Sequence, residues 1–139
     1  MSGIKRVGLD TNIFICCFEE NPEFGPKSRK ILEKIETGKL QAVCSSLVWA
    51  ELIAQADIGS NSARVSDLKA QFVSIPNLGI VAADFEICEL AGKLKSKYNI
   101  KLPDSLHLAS AIHSKCDCFV SFDKNLKKVK EIRVVSFLR

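Results

Sequence analysis

The segment Val7-Gly8-Leu9-Asp10-Thr11-Asn12, near the start of a chain of 139 residues, carries the strongest structural signal in the sequence. An apolar run that starts at Ile4 ends here in a carboxylate, a hydroxyl and an amide, and a second apolar segment follows at once. Such a run, bounded by polar residues, is typical of a buried strand that delivers Asp10 to its carboxyl end. Because open α/β sheets bind ligands at that edge, the stretch predicts a fold class and the position of a site.

Patterns typical of strands and helices alternate along the rest of the chain. Strands that alternate with helices imply right-handed crossovers and a mostly parallel sheet covered on both faces. The predicted fold is therefore an α/β three-layer sandwich with five strands, formed by residues 1–139 as a single domain. Strands are expected at residues 5–9, 41–44, 80–82, 119–122 and 133–137, and helices at 13–18, 27–36, 46–56, 63–73, 84–97 and 103–114, with a short helix or turn at 124–128.

Two of the predicted helices have a clear apolar face. The helix at 27–36 should bury Ile31, Leu32 and Ile35, and Gly38 suits the left-handed residue that often follows a helix. The helix at 84–97 should bury a longer stripe, formed by Phe85, Ile87, Leu90, Ala91 and Leu94.

The composition places the chain among ordinary globular proteins and excludes several classes. It has 47% hydrophobic and 26% charged residues, and no apolar run approaches the roughly 20 residues that a membrane helix needs. The N-terminus lacks the apolar region of a signal peptide, so we expect a cytoplasmic protein with no membrane partner. The formal net charge of +4 permits a polyanionic partner without requiring one.

The six cysteines do not have the spacing of a zinc site. There is no Cys-x-x-Cys pair, and neither His107 nor His113 lies near a pair of cysteines. Since most of the cysteines, such as Cys44 and Cys88, lie in apolar surroundings, we expect them to be small buried hydrophobic residues. An intracellular disulfide is the alternative.

Four acidic residues stand at positions that this sheet would bring together, and each has a simpler interpretation. Asp10 and Asp123 each end an apolar strand and could merely cap the next helix. Glu51 is the only charged residue of residues 47–56, where an unpaired carboxylate is costly to bury, although it could reach solvent beside Gln55. Asp104 opens a helix, where its charge favours the positive end of the helix dipole.

Three neighbouring polar residues could support these carboxylates. Asn12 could donate a hydrogen bond to Asp10 and hold its conformation. Ser121 precedes Asp123 by two residues, lies on the same side of an extended chain and could bind a metal-bound water. His107 lies one turn after Asp104 and could assist, but on such an apolar helix we interpret it as a packing residue.

Taken together, the four carboxylates predict a metal site. Like charges at close range cannot all ionise without a counter-ion. Oxygen ligands without Cys or His suit a hard cation, Mg²⁺ or Mn²⁺. Such a site can lower the pKa of a bound water and neutralise charge that develops on a phosphodiester, as a nuclease requires.

The chain resembles the PIN-domain ribonucleases, and it looks most like the VapC-type toxins of prokaryotic toxin–antitoxin pairs. The resemblance covers nearly the whole chain. Its motifs are Leu9-Asp10-Thr11-Asn12, Ser45-Ser46-Leu47-Val48-Trp49-Ala50-Glu51-Leu52, Leu102-Pro103-Asp104-Ser105-Leu106-His107-Leu108-Ala109-Ser110-Ala111 and Ser121-Phe122-Asp123-Lys124.

The resemblance implies a sheet in the order 3-2-1-4-5, Mg²⁺ or Mn²⁺ at the acidic cluster, and endonucleolytic cleavage of RNA. It also implies a homodimer and a partner antitoxin that covers the site. In the family's pattern the catalytic and metal-binding quartet falls on Asp10, Glu51, Asp104 and Asp123, with Thr11, Asn12 and Ser121 as supporting positions. Ser-Phe-Asp stands where Thr-x-Asp is also common, which affects only the supporting hydroxyl.

The cations near the acidic residues are compatible with RNA binding. A solvated charged face is the alternative, and an RNA affinity that falls with added salt would distinguish the two. One group of cations follows Asp123 in the sequence and comprises Lys124, Lys127, Lys128, Lys130 and Arg133. A second group precedes Asp104 and comprises Lys93, Lys95, Lys97 and Lys101.

Three other functions compete with a toxin ribonuclease. A PIN-type nuclease of RNA processing or decay would share the chemistry and lack an antitoxin. A non-catalytic binding module would be expected to lack some of the quartet, and all four residues are present. A phosphatase with Asp10 as nucleophile is disfavoured, because the chain has neither a glycine-rich phosphate loop nor a second Asp two residues after Asp10.

Overall fold

Strands and helices alternate in the computed structural model, which describes residues 3–55 and 58–138. No helix within those two ranges is long and apolar enough to cross a membrane. The strands are β1 (Arg6–Leu9), β2 (Gln41–Ser45), β3 (Leu78–Val81), β4 (Cys118–Val120) and β5 (Val134–Val135). The helices are α1 (Thr11–Phe18), α2 (Gly25–Glu36), α3 (Leu47–Ile53), α4 (Ser62–Val73), α5 (Phe85–Tyr98) and α6 (Leu102–His113), and a 3₁₀ helix spans Lys124–Lys128.

The sheet has the order β3-β2-β1-β4-β5, as the resemblance implied. All four strand pairings are parallel, with Gly8 in register with Val43 on one side and Phe119 on the other. β1 is thus the central strand, and its carboxyl end at Leu9 lies beside those of β2 and β4. Every residue that directly follows one of these three strands therefore starts from the same edge of the sheet.

Each face of the sheet carries its own apolar cluster. On one face, Val7 and Leu9 of β1 pack with Phe14 of α1 and with the buried side of α2. On the other face, Phe119 of β4 packs with α5 and α6. These two clusters make the three layers that the alternation of strands and helices predicted.

Most element boundaries differ from the predicted ones by one or two residues. α1 begins at Thr11 because the Asp10 side chain accepts a hydrogen bond from the Thr11 N–H and caps the helix. The final strand pairs over only two residues, whereas five were predicted. α3 ends at Ile53, and the predicted end of that helix near residue 56 lies outside the described residues.

The prediction of the apolar stripe on α5 was wrong at one position. Ile87, Ala91 and Leu94 are buried, but the Phe85 side chain is 88% exposed. Asp84 caps the helix through the Ile87 N–H, which places Phe85 at the first helical residue, before the buried stripe begins. The predicted core face of α2 is confirmed, and Gly38 has the left-handed φ of 82°.

The cysteines are less uniformly buried than expected. All six are free thiols, so the alternative of a disulfide is not realised among the described residues. Cys44 and Cys118 are buried in strands, whereas Cys16, Cys17 and Cys116 are half-buried and Cys88 is exposed. Cys88 follows buried Ile87 and lies on the solvent face of α5, so its apolar neighbours in sequence were misleading.

Gly8 shows how closely α6 approaches the central strand. A Cβ atom at this position would overlap the Cβ of Ala111 and would lie 3.1 Å from Cδ1 of Phe119. Overpacking of this kind typically costs about 1–3 kcal/mol, because the surrounding backbone has to move. Only glycine therefore fits between β1 and α6.

We predict that Gly8→Ala lowers the free energy of unfolding by about 1–3 kcal/mol in urea denaturation. Gly92→Ala is the matched control, because a Cβ on that exposed residue of α5 would meet nothing within 4 Å. The control should gain about 0.5–1 kcal/mol from helix propensity. Equal effects of the two substitutions would contradict this description of the β1–α6 contact.

Candidate active site at the carboxyl edge of the sheet

Asp10 lies at the end of the central strand and is almost fully buried, with 5% of its surface exposed. Its carboxylate accepts hydrogen bonds from the Thr11 N–H at 2.8 Å and from Ser121 Oγ at 2.6 Å. The predicted hydrogen bond from Asn12 Nδ2 is present at 3.4 Å. Burial raises the pKa of Asp10, and the Ser121 hydrogen bond only partly offsets that effect. Asp10 is therefore a helix cap and also a member of a charged cluster.

Ser121 connects two of the predicted acidic positions. Its hydroxyl donates to Asp10 and accepts a hydrogen bond from the Asp123 N–H at 3.0 Å. The Asp123 side chain in turn accepts from the Asn125 N–H at 2.9 Å and caps the 3₁₀ helix. Ser121 is 1% exposed, and its hydroxyl is already bonded to these partners. It therefore contacts Asp10 by a direct hydrogen bond, whereas the sequence suggested a contact with a metal-bound water.

Glu51 enters the site from α3 and is held from two other helices. Its Oε1 accepts a hydrogen bond from Thr11 Oγ1 at 2.6 Å, and a second from His107 Nε2 on α6. His107 Nε2 also lies 3.1 Å from Thr11 Oγ1. The His107 hydrogen bond is the main reason that the pKa of Glu51 lies below its usual value, although burial opposes the shift. Glu51 is thus kept ionised with a defined orientation.

His107 is more than the packing residue that the sequence predicted. It is 2% exposed, and its Nδ1 has no hydrogen-bond partner among the described residues, while its Nε2 holds Glu51. A bare ring nitrogen is less costly to bury unpaired than an N–H, which favours the tautomer with the proton on Nε2. The available signal was its position three residues after Asp104 on an otherwise apolar helix.

Asp104 lies in the first turn of α6, directly after Pro103. It does not cap the helix, because Lys101 occupies that position, and its carboxylate accepts no hydrogen bond from a described residue. Burial, followed by the charges of Asp10 and Asp123, raises the pKa of Asp104 to about 6. Asp104 is therefore not a capping residue, and its place in the first turn agrees with the helix-dipole interpretation from the sequence.

The four acidic side chains line one cavity of about 350 Å³, together with Thr11, Asn12 and Gln55. We call this cavity the acidic cleft. No three Asp, Glu, His or Cys side chains among the described residues converge closely enough to surround a metal ion. The donors have the oxygen chemistry that a hard cation prefers, and the unbonded carboxylate of Asp104 has a raised pKa that a cation would lower. The ligand atoms of the cleft therefore suit such a cation, and the carboxylates would have to move closer together to surround it.

A family model of the PIN domain matches residues 7–132. Since that match spans most of the chain and the fold agrees with it, the chain belongs to the PIN-domain family. No curated protein matches the sequence.

Several solved structures share the fold. A toxin–antitoxin complex from Klebsiella pneumoniae matches with a TM-score of 0.72 at 21% identity, over 95% of this chain and 97% of that chain. VapBC2 from Rickettsia felis, bound to a promoter DNA fragment, matches at 0.71 and 18% identity, over 96% and 99%. VapC20 from Mycobacterium tuberculosis, described as a Sarcin-Ricin loop cleaving toxin, matches at 0.66 and 11% identity, over 91% and 98%. At these identities the similarity establishes the fold alone.

We predict that Asp104→Asn changes how the stability of the metal-free protein depends on pH. A pKa raised from 3.8 to about 6 means that the folded state binds this proton more tightly than the unfolded state. The resulting stabilisation is complete below about pH 4 and is lost as the pH rises to about 6. The melting temperature of Asp104→Asn minus that of wild type should therefore be larger at about pH 7.5 than at about pH 4.

Thermal melts in EDTA at the two pH values test this expectation. Glu33→Gln is the control for the loss of one carboxylate, because Glu33 is exposed on α2 and does not line the acidic cleft. An Asp104→Asn difference that is the same at both pH values would contradict the charge cluster.

Proposed function

We propose that the protein is an endoribonuclease that depends on Mg²⁺ or Mn²⁺. The observation that carries the proposal is the acidic cleft, in which Asp10, Glu51, Asp104 and Asp123 face one cavity. Membership of the PIN-domain family supports a nuclease, and the cluster of four carboxylates argues against a non-catalytic binding module. The cation, bound by these carboxylates, would supply a more acidic water and neutralise charge on the phosphodiester.

The chain's own residues hold the carboxylates in a defined arrangement. Ser121 and the Thr11 N–H fix the Asp10 carboxylate at the end of β1. Thr11 Oγ1 and His107 hold the Glu51 carboxylate by hydrogen bonds. Asp104 has no such partner, so it is the carboxylate whose charge is least compensated by the protein. Electrostatic catalysis requires such preorganised groups, because they need little reorganisation during the reaction.

We also propose that the protein acts in the cytoplasm, as a homodimer, and as the toxin of a toxin–antitoxin pair. Three of the structures with the same fold are the Klebsiella pneumoniae toxin–antitoxin complex, Rickettsia felis VapBC2 and Salmonella typhimurium VapBC. The alternative is a nuclease of RNA processing or decay without an antitoxin. A small adjacent gene that encodes a DNA-binding antitoxin would favour the first function.

The proposal predicts that a divalent cation stabilises the wild type and that Asp10→Asn and Asp104→Asn abolish both this effect and RNA cleavage. A ligand that binds only the folded state raises the melting temperature, because it adds a free energy of unfolding that grows with the logarithm of the ligand concentration over Kd, about 2.7 kcal/mol when that ratio is about 100. Melts with Mn²⁺ and a gel assay of labelled RNA give the two readouts. Glu33→Gln is the control and should respond as wild type does. Cleavage that continues in EDTA would disprove the metal requirement.

His107 is expected to be a positioning residue for Glu51. His107→Leu removes the Nε2 donor, and loss of a group that orients a metal ligand typically weakens metal binding or activity about 10–100-fold. Gln places an amide donor near the same point, so His107→Gln should recover part of the loss. We would measure the Mn²⁺ concentration needed for half of the thermal shift. Equal Mn²⁺ affinity in wild type and His107→Leu would show that the His107–Glu51 contact is structural only.

A further inference from the structure

A second cavity, of about 760 Å³, lies between the end of α2, the start of β1 and the C-terminal segment 134–138. Among the described residues, its lining includes four cationic side chains and no acidic one. We call it the basic groove and define it by Lys34, Lys39, Lys127 and Arg133. Lys34 and Lys39 are distant in sequence from every acidic motif, so the sequence did not associate them with the site.

The cations of the basic groove have no ion-pair partner among the described residues, whereas Lys95 and Lys97, near Asp104, each have a hydrogen-bonding partner. On α5, Lys97 pairs with Glu131 at 3.2 Å, and Lys95 donates to the Ile100 carbonyl at 3.0 Å. None of the four groove cations forms an ion pair or a side-chain hydrogen bond with a described residue. Uncompensated positive charges that line one concave surface repel each other and concentrate anions there.

The basic groove also offers an aromatic surface. Phe137 lines it with 48% of its surface exposed, and Lys27 Nζ lies 5.9 Å from the centre of the Phe137 ring. A positively charged groove beside an exposed aromatic ring is how proteins bind single-stranded nucleic acid, with phosphates on the cations and bases stacked on the ring.

Two residues that line the basic groove, Val135 and Lys127, are joined to the acidic cleft through β5 and the 3₁₀ helix. Val135, which lines the groove, accepts a hydrogen bond from the Ser121 N–H at 3.0 Å, and Ser121 Oγ donates to Asp10. Lys127 lies four residues after Asp123, on the 3₁₀ helix that Asp123 caps, a distance of about 8 Å at about 2 Å per residue. One chain could therefore contact both cavities.

We propose that the basic groove holds the backbone of single-stranded RNA on one side of the bond that lies in the acidic cleft. The inference rests on the proposed ribonuclease function and adds the path and the strandedness of the substrate. An acidic polypeptide, such as an antitoxin that covers the cleft, would match the charge, but it would not account for the exposed ring as base stacking does. RNA accounts for the charge, the ring and the connection to the cleft.

The test is the affinity for a fluorescein-labelled 20-nucleotide oligouridylate, measured by anisotropy in EDTA so that no metal-dependent cleavage intervenes. The double variant Lys34→Glu, Lys39→Glu should bind about tenfold or more weakly at low salt. Its plot of log K against log salt should be shallower by about 1.4, since each phosphate contact on a single strand contributes about 0.7. Lys30→Glu, Lys69→Glu is the control with the same net charge, because both lysines are exposed and neither lines the groove.

The dinucleotide UpU separates the groove from the cleft, because its one phosphodiester, when it lies in the cleft, leaves no phosphate for the groove. With Mn²⁺, the groove variant should cleave it within about twofold of the wild-type rate, and circular dichroism should confirm that both double variants are folded. Lack of cleavage of any RNA by wild type would disprove the proposed function.

Three binding results would overturn the groove assignment, whatever the cleavage assay shows. The first is equal binding of the 20-mer by wild type and groove variant. The second is an equal loss in both double variants, which would reflect net charge alone. The third is binding of polyglutamate, but not of RNA, by the wild type, which would assign the groove to an acidic protein partner.

Discussion

The structure depends on how the buried Asp10 carboxylate is held at the end of the central strand. An ionisable group that is 5% exposed is costly unless hydrogen bonds compensate it. Here the compensating groups come from the start of α1 and from Ser121, which follows β4. The same contacts therefore fix where α1 begins, hold the ends of two neighbouring strands together and position the acidic cleft.

The cleft concentrates negative charge that the protein compensates unevenly. Glu51 is satisfied by Thr11 and His107, and its pKa is lowered; Asp104 is satisfied by nothing in the described residues, and its pKa is raised to about 6. Two carboxylates in one cavity whose environments push their pKa values apart are typical of a functional site, where local stability is given up for chemistry. The cations of the basic groove, of which Lys127 lies four residues after Asp123, carry the opposite charge, and the proposed RNA path depends on that charge.

Much of this could be predicted from the sequence, because the relevant signals are local. Apolar runs that end in acidic residues marked β1 and β4, and single carboxylates within apolar segments marked Glu51 and Asp104. The role of His107 was missed because its partner Glu51 is 56 residues away, and only the packing of α3 against α6 brings the two together. Lys34 and Lys39 join Lys127 through the same kind of non-local packing, and Phe85 was misplaced because the helix cap, rather than periodicity, decides its exposure.

The most direct measurement is anomalous X-ray diffraction from crystals grown with Mn²⁺. The account predicts a manganese peak in the acidic cleft, within coordination distance of oxygens of Asp10 and Asp104, and none after Asp104→Asn. The carboxylates should move toward each other relative to their positions in this structure, since no three acidic or other ligating side chains of the described residues converge on one point. A cleft without manganese, in crystals that bind the ion elsewhere, would contradict the claim that these carboxylates form a metal-dependent active site.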